Sequence, residues 1–181
     1  MTPEILPDLL RPGLRLLLCG SAPGRVSALR GAPYSGPGNK FWDILHRSGL
    51  TPRRFAPEDY AQLDALGIGL TNLCTTASGA DAEIPAAAFD AAALAAKLRR
   101  HRPALVGFVG KNAAARFLGV KAPPFGPVPG PPDLPPLFVL PSTSGLACRS
   151  WDPAPWHALA ERLRQGHAPW HEPPRMGLGP L

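Results

Sequence analysis

The stretch that decides the fold is LLLCGSAPGRVSALRGAPYSGPGNKFWDIL, residues 16–45. It opens with a short apolar run that ends at Gly20, which is typical of a buried β-strand. The turn GSAPG follows at residues 20–24. Its glycines let the backbone approach a ligand and expose N–H groups, and Pro23 stiffens it. Such a turn either grips the polar edge of a planar ligand or only connects a strand to a helix.

The rest of the chain alternates apolar runs with helical patterns. Four runs predict buried strands, at 14–19, 68–73, 104–109 and 137–140, and four patterns predict helices, at 39–48, 87–100, 111–118 and 155–164. Because the strands are apolar throughout, helices must cover both faces of the sheet. The predicted fold is α/β, a single-domain three-layer α/β/α sandwich with a mainly parallel central sheet of four to five strands.

Length and proline content indicate the domain limits. A chain of 181 residues accommodates one domain with a sizeable core, which we place at 1–165. Many of the 25 prolines lie in two stretches without hydrophobic periodicity. The first, 122–136, predicts a long internal loop, and the second predicts a proline-rich, disordered tail at 166–181.

Charge and cysteine content limit the class of partner and the compartment. The net charge of +6 fits either a polyanionic partner or a solubilising surface. The three cysteines form no C-x-x-C pair and the five histidines show no metal-ligand spacing, so no metal site is expected. Because no signal segment or membrane-spanning run is present, we expect a cytoplasmic protein without a membrane partner.

Three segments follow predicted strands, and ligands of parallel sheets bind beyond the carboxyl ends of the strands. The segments are GSAPG at 20–24, TN at 71–72 and STSGL at 142–146. They match neither a P-loop nor a dinucleotide fingerprint, because the G-K-[ST] and G-x-G-x-x-G spacings are absent. Carboxylates are scarce in them, so we expect chemistry without a strong general base.

Five side chains in or near these segments have both a structural and a functional interpretation. Tyr34 either caps the core or offers a stacking platform for a base. Asn39 suits the N-cap of the following helix as well as a binding role, and Asn72 suits a turn. Ser142 and Ser144 suit phosphate contacts.

The loop at 142–146 also contains an apolar residue, Leu146. A leucine in a loop either packs down onto the core or inserts into a partner. Proteins that deform DNA often push such an apolar wedge into the base stack.

Five motifs in this order resemble the uracil-DNA glycosylase superfamily, in particular its mismatch-specific uracil/thymine-DNA glycosylase branch. They are GSAPG at 20–24, PGNKFW at 37–42, GLTN at 69–72, VGK at 109–111 and LPSTSGL at 140–146. Each motif is weak alone, but their order and spacing extend over about 14–163.

Two motifs depart from the mismatch branch. Ala22 stands where that branch has the Asn that places the attacking water, and Ser142-Thr143 replaces Asn-Pro. Both departures are similar to the hypoxanthine-DNA glycosylase branch, in which the Asn at the position of Asn39 is thought to be catalytic. The ending Gly145-Leu146 resembles the mismatch branch instead, so the chain combines features of both.

The resemblance implies that a deaminated base is flipped out of the DNA helix into the pocket, where Tyr34 stacks on it. Asn39, with Asn72 as second choice, would orient a water molecule, and no metal or organic cofactor is implied. The implied catalytic residues are Asn39, Asn72 and Ser21, and the base-binding residues are Gly20, Ala22, Pro23, Gly24 and Tyr34. The implied DNA contacts are Lys111, Ser142, Ser144, Gly145, Leu146 and Arg149.

The leading prediction is a monofunctional DNA glycosylase that hydrolyses the N-glycosidic bond of a deaminated base and so initiates base excision repair. Uracil is the first choice of base and hypoxanthine the second. Gly24 stands where strict uracil enzymes carry a bulky tyrosine, so the pocket is expected to be less selective. The partner would be DNA with deaminated or mismatched bases, bound by a monomer.

Two alternatives belong to other classes of protein. The first is a non-catalytic binder of deaminated or mismatched DNA, which Ala22 favours because it replaces the best-known catalytic Asn. The second is an unrelated α/β enzyme that uses the same crevice for a nucleotide or a small planar metabolite. The basic charge and the loop leucine count against this second alternative.

Overall fold

Five strands form one sheet in the computed structural model, which describes residues 2–166. They are β1 (Leu16–Gly20), β2 (Ile68–Asn72), β3 (Val106–Val109), β4 (Gly126–Val128) and β5 (Leu137–Leu140). Their order is β2-β1-β3-β5-β4, and all pairs are parallel except β4 with β5. The predicted mainly parallel sheet is confirmed. The predicted tail, 166–181, lies outside the described residues except for Gly166.

Five α-helices lie within residues 2–166, and four of them overlap predicted helices. They are α1 (Arg25–Arg30), α2 (Phe41–Arg47), α3 (Ala91–His101), α4 (Lys111–Leu118) and α5 (Ala154–Arg164). Helices of the 3-10 type lie at Pro57–Leu66, Asp81–Glu83, Ala86–Ala88 and Gly145–Ser150. Helix α1 was not predicted. Helix α3 begins later than expected because the Asp90 carboxylate caps it, accepting a 2.8 Å hydrogen bond from the Ala93 N–H.

Alternate residues of each central strand pack on opposite faces of the sheet, which produces the three layers. Leu16 and Leu18 of β1 join the core that α2 and α5 cover. Leu17 and Cys19 join the core that α3 and α4 cover. This arrangement confirms the three-layer sandwich and explains why the strands are apolar throughout.

The segment 122–136, expected to be a loop, contains an unpredicted strand. Strand β4 pairs Gly126 with Val139 and Val128 with Leu137 at the edge of the sheet. Pro127 has no N–H to donate, and a proline in a sheet is tolerated at an edge strand. The high proline content led to the prediction of a loop where a short edge strand lies within an otherwise irregular connection.

The segment before β1 runs along β2 and is pinned to it by a polar cluster. The Asp8 carboxylate accepts a 2.8 Å hydrogen bond from the Thr71 hydroxyl and lies 2.5 Å from the Lys97 ammonium. Burial lowers the pKa of Lys97, but hydrogen bonds and charge from Asp8 and Glu4 outweigh it and leave that pKa raised. The pinned segment supplies Leu6 to the wall of the main crevice. Within residues 2–166, no helix is long and apolar enough to cross a membrane.

Candidate functional site

A crevice of about 1200 Å³ lies beyond the carboxyl ends of β1, β2, β3 and β5. Its walls come from the turn at 20–24, the loop at 33–39, Asn72, the start of α4 and the loop at 142–147. All of the predicted site residues border it except Arg149, which is exposed in the following 3-10 helix. The fold thus brings together motifs that lie more than a hundred residues apart in the chain.

The turn at 20–24 is anchored through its carbonyl groups. The oxygens of Gly20, Ser21 and Pro23 accept hydrogen bonds of 3.0, 2.8 and 3.0 Å from N–H groups within 73–79. The N–H groups at 21, 22 and 24 have no hydrogen-bond partner among residues 2–166. The turn is therefore held from one side and leaves a row of donors for a ligand oxygen or nitrogen.

Gly20 is the point at which two polar side chains meet. A Cβ atom there would lie 2.6 Å from Asn72 Oδ1 and 3.0 Å from the Tyr34 hydroxyl oxygen. Gly20 and Asn72 are also direct neighbours in the β1–β2 register. Any larger residue would displace these groups, so glycine is required here by close approach rather than by a positive φ.

Tyr34 is held rigidly at the border of the crevice. Its ring stacks on that of Phe41 with 3.7 Å between centroids and 9° between planes. Its φ of 53° is unusual for a residue with a side chain. Burial raises the pKa of its hydroxyl, with a smaller contribution from Cys19, so the group stays protonated. Since Phe41 covers one face of the ring, stacking of a base on the other face stays a prediction.

Asn39 precedes α2 and is fixed by the helix that it introduces. Its Oδ1 accepts a 3.0 Å hydrogen bond from the Phe41 N–H, although the N-cap position itself is Lys40. The structural and the functional interpretations of Asn39 are thus compatible. A carbonyl oxygen has two lone pairs, so Oδ1 can accept a second hydrogen bond from a water molecule in the crevice.

The loop at 142–146 is shaped by its own serines. Ser142 Oγ accepts a 3.3 Å hydrogen bond from the Ser144 N–H, and Ser144 Oγ accepts one of 3.3 Å from the Leu146 N–H. Each hydroxyl hydrogen remains free to donate to a phosphate. Leu146 is 92% exposed at the rim of the crevice, so the leucine does not pack down onto the core.

Lys111 lines the crevice, and Lys40 and Arg149 lie next to lining residues in the chain. The Lys111 ammonium lies 4.4 Å from the centre of the Phe125 ring, and that of Lys40 lies 5.7 Å from the Trp151 ring. Arg149 has no ion pair among residues 2–166. This arrangement suits a polyanion.

Sequence reasoning missed several crevice residues. Asn112, which follows Lys111 at the start of α4, is one of them. Among the described residues, Asp81 is the one lining residue with a carboxylate. Its segment carries no recognisable pattern. Leu6 and Phe125 also line the crevice. Phe125 comes from the predicted loop 122–136, and no element was predicted around Leu6. Among residues 2–166, no cluster of three or more His, Cys, Asp or Glu side chains could hold a metal ion.

The chain is similar to a known protein family and to a solved structure. The model of the family described as the uracil DNA glycosylase superfamily matches residues 7–163. Among solved structures, the solution NMR structure of a proposed uracil DNA glycosylase from Methanosarcina acetivorans is similar, with a TM-score of 0.56 and 22% sequence identity. The similarity covers 88% of this chain and 96% of that one, and at this identity it shows a shared fold.

Proposed function

Because the chain belongs to the uracil DNA glycosylase superfamily, and is thus a DNA glycosylase, we propose that it excises a deaminated base from DNA. Uracil is the first choice of base and hypoxanthine the second. One observation carries the proposal. The amides of Asn39 and Asn72 border the same crevice as the unpaired N–H groups of the turn at 20–24.

The proposed reaction is hydrolysis of the N-glycosidic bond. As that bond breaks, positive charge develops on the sugar and negative charge on the departing base. The free N–H groups at 21, 22 and 24 stabilise the base anion, since they are already oriented and need no reorganisation. Asn39 Oδ1 accepts a hydrogen bond from water and directs its oxygen to the sugar carbon. The water oxygen bonds to that carbon, the bond to the base breaks, and the released proton neutralises the base anion. An amide is a weak base, so its contribution is positioning.

The proposed DNA contacts lie around the rim. The base leaves the helix to reach the crevice, and Leu146 fills the gap that it leaves in the stack. The hydroxyls of Ser142 and Ser144 donate to phosphates, and the cations of Lys111 and Arg149 attract them. Gly145 has no side chain, which keeps the loop close to Pro37.

The part of the crevice beside Gly24 does not restrict the bound base to a single ring. A Cβ atom at Gly24 would meet nothing within 4 Å, so this part of the crevice has room for a substituent or a second ring. The two-ring base hypoxanthine therefore fits the proposal alongside uracil. Neither the turn nor Tyr34 distinguishes between them, because each base offers a carbonyl edge and a stacking face.

The test is a base-release assay on labelled oligonucleotides that contain uracil, hypoxanthine, xanthine or thymine. Each would be single-stranded or opposite each normal base, and alkali would cut the abasic products. We expect cleavage with uracil or hypoxanthine. Cleavage of neither, together with intact salt-sensitive binding, would contradict the proposal and favour a non-catalytic binder. Ala22→Asn would then be the first variant to test.

A further inference from the structure

The Tyr34 hydroxyl is a buried polar group without a partner. Among residues 2–166, it and His101 Nδ1 are the two buried side-chain polar atoms that make no hydrogen bond. Leaving such a group unpaired costs stability, and native proteins do so rarely. A phenylalanine would keep the stacking on Phe41 without this cost. The hydroxyl does not stabilise the fold, which suggests that it serves binding or catalysis.

The hydroxyl cannot turn toward another partner. The ring is fixed by its 3.7 Å stacking on Phe41, and the backbone is fixed in the left-handed region with a φ of 53°. Strained backbone of this kind persists where the surroundings hold it, and it concentrates at functional sites. A partner must therefore come to the hydroxyl.

Asn72 is the side chain placed to do so. Its Oδ1 and the Tyr34 hydroxyl both lie within 3.0 Å of the position that a Cβ atom on Gly20 would occupy. The Asn72 side chain makes no hydrogen bond to residues 2–166 and borders the crevice. It is half-buried, whereas the hydroxyl is closed off from solvent. Both groups lie close to one point, and the half-buried carboxamide is the one that can move toward the hydroxyl.

We propose that Tyr34 is a positioning residue that acts through Asn72. When a base enters the crevice, the Tyr34 hydroxyl donates to Asn72 Oδ1. The Asn72 carboxamide is then fixed with its NH₂ group toward the base, where it donates to a carbonyl of the leaving group. The hydroxyl stays unpaired in the empty protein and becomes paired in the complex, so the interaction is made when it assists the reaction.

Protonation of the hydroxyl agrees with this role. Burial raises the pKa of Tyr34 above its usual value, so the hydroxyl remains a donor at neutral and mildly alkaline pH. The effect of removing it should therefore be the same across neutral and mildly alkaline pH.

The inference rests on the proposed function and is tested by a double-mutant cycle with Tyr34→Phe, Asn72→Ala and the double variant. Tyr34→Phe removes the hydroxyl and keeps the ring. We expect kcat to fall about tenfold, the size of one lost hydrogen bond, with KM little changed and the melting temperature unchanged or higher. We expect the double variant to be no slower than Asn72→Ala. Tyr60→Phe, in the 3-10 helix Pro57–Leu66, is the matched control and should keep wild-type activity.

Three results would overturn the inference while wild-type base release is intact. They are full activity in Tyr34→Phe, losses that multiply in the double variant, and a melting temperature several degrees lower in Tyr34→Phe. Multiplied losses would show that the hydroxyl acts independently of Asn72. A lower melting temperature would show that it has a structural partner. Absence of base release by the wild type would instead contradict the proposed function, so the two failures are distinguishable.

Discussion

The backbone N–H of Lys40 donates a 2.8 Å hydrogen bond to the carbonyl oxygen of Thr143. This bond joins the residue that follows Asn39 to the loop that carries Leu146. The two segments also touch at Gly145, where a Cβ atom would lie 2.7 Å from the Pro37 carbonyl oxygen. The segments that carry the proposed water-orienting amide and the proposed wedge are thus in direct backbone contact, and a change at this contact should affect both.

Gly145→Ala should damage this unit. The added Cβ meets backbone that cannot move aside easily, so we expect a loss of about 1–3 kcal/mol in the free energy of unfolding and a fall in base release of about tenfold or more. Thermal unfolding and base-release rates would measure the two effects. Gly36→Ala is the control, because a Cβ atom there meets nothing within 4 Å. Wild-type behaviour in both variants would show that the close approach at Gly145 is unimportant.

Gly20→Ala should separate activity from stability. The new Cβ would meet the tip of the Asn72 side chain and the Tyr34 hydroxyl, and the flexible Asn72 side chain can turn away. We expect a melting temperature within a few degrees of wild type, equivalent to about 1 kcal/mol, but a loss of base release of at least about tenfold. Retained activity would count against convergence of these groups as a functional feature.

Leu146→Ala should weaken excision from duplex DNA more than from single strands, because a gap in the stack exists only in the duplex. We expect at least about a tenfold difference between the two substrates, since unstacking costs a few kcal/mol. Leu29→Ala is a matched control, since Leu29 is 88% exposed on α1 and does not line the crevice. Equal losses on both substrates would count against a wedge.

Arg149→Ala should weaken DNA binding without changing the preferred base. A side chain that contacts one phosphate contributes to the salt dependence of binding. We therefore expect the slope of log K against log salt concentration to fall by about 1. The control is Arg99→Ala. Arg99 lies on α3 and is paired with Asp133, so its removal should leave the slope unchanged. A slope unaltered by Arg149→Ala would remove Arg149 from the DNA contacts.

The central sheet could be predicted from the sequence because both of its faces are buried. Strands such as β5 are apolar at every position, and glycine or proline ends them. Helix α4 was predicted at its observed bounds because Gly110 and Gly119 flank it. Strand β4 could not be predicted in this way, since its three residues include Pro127 and its stability comes from pairing with β5.

Parts of the site depend on contacts between distant residues and carry no local signal. Pattern and resemblance gave Asn39, Asn72 and Leu146 as candidates, and the fold brings all three to one crevice. The convergence of Tyr34 and Asn72 on Gly20 depends on the β1–β2 register and on the stacking of Tyr34 on Phe41. Asp81 reaches the crevice through a 3-10 helix whose sequence has no periodicity.

The role of Asn39 is the central claim, and Asp81 is its competitor as the group that handles the water. Asn39→Ala should reduce base release by at least about a hundredfold, because the attacking water is then no longer held in position. The lost hydrogen bond to the Phe41 N–H should cost about 1 kcal/mol of stability, which thermal unfolding would show to be tolerated. Asp81→Asn should stay within about threefold of wild type, because an amide replaces a carboxylate that has no part in the proposed reaction.

The most direct measurement is single-turnover base release by wild type, Asn39→Ala and Asp81→Asn on the oligonucleotide that the wild type cleaves fastest. DNA affinity would be measured for the same proteins. The control is Asn112→Ala, which removes an exposed amide of α4 that lines the same crevice but has no part in the proposed reaction. The account predicts cleavage by wild type, Asp81→Asn and Asn112→Ala, and loss of cleavage in Asn39→Ala with affinity retained. Full cleavage by Asn39→Ala, or loss of cleavage in Asp81→Asn alone, would contradict it.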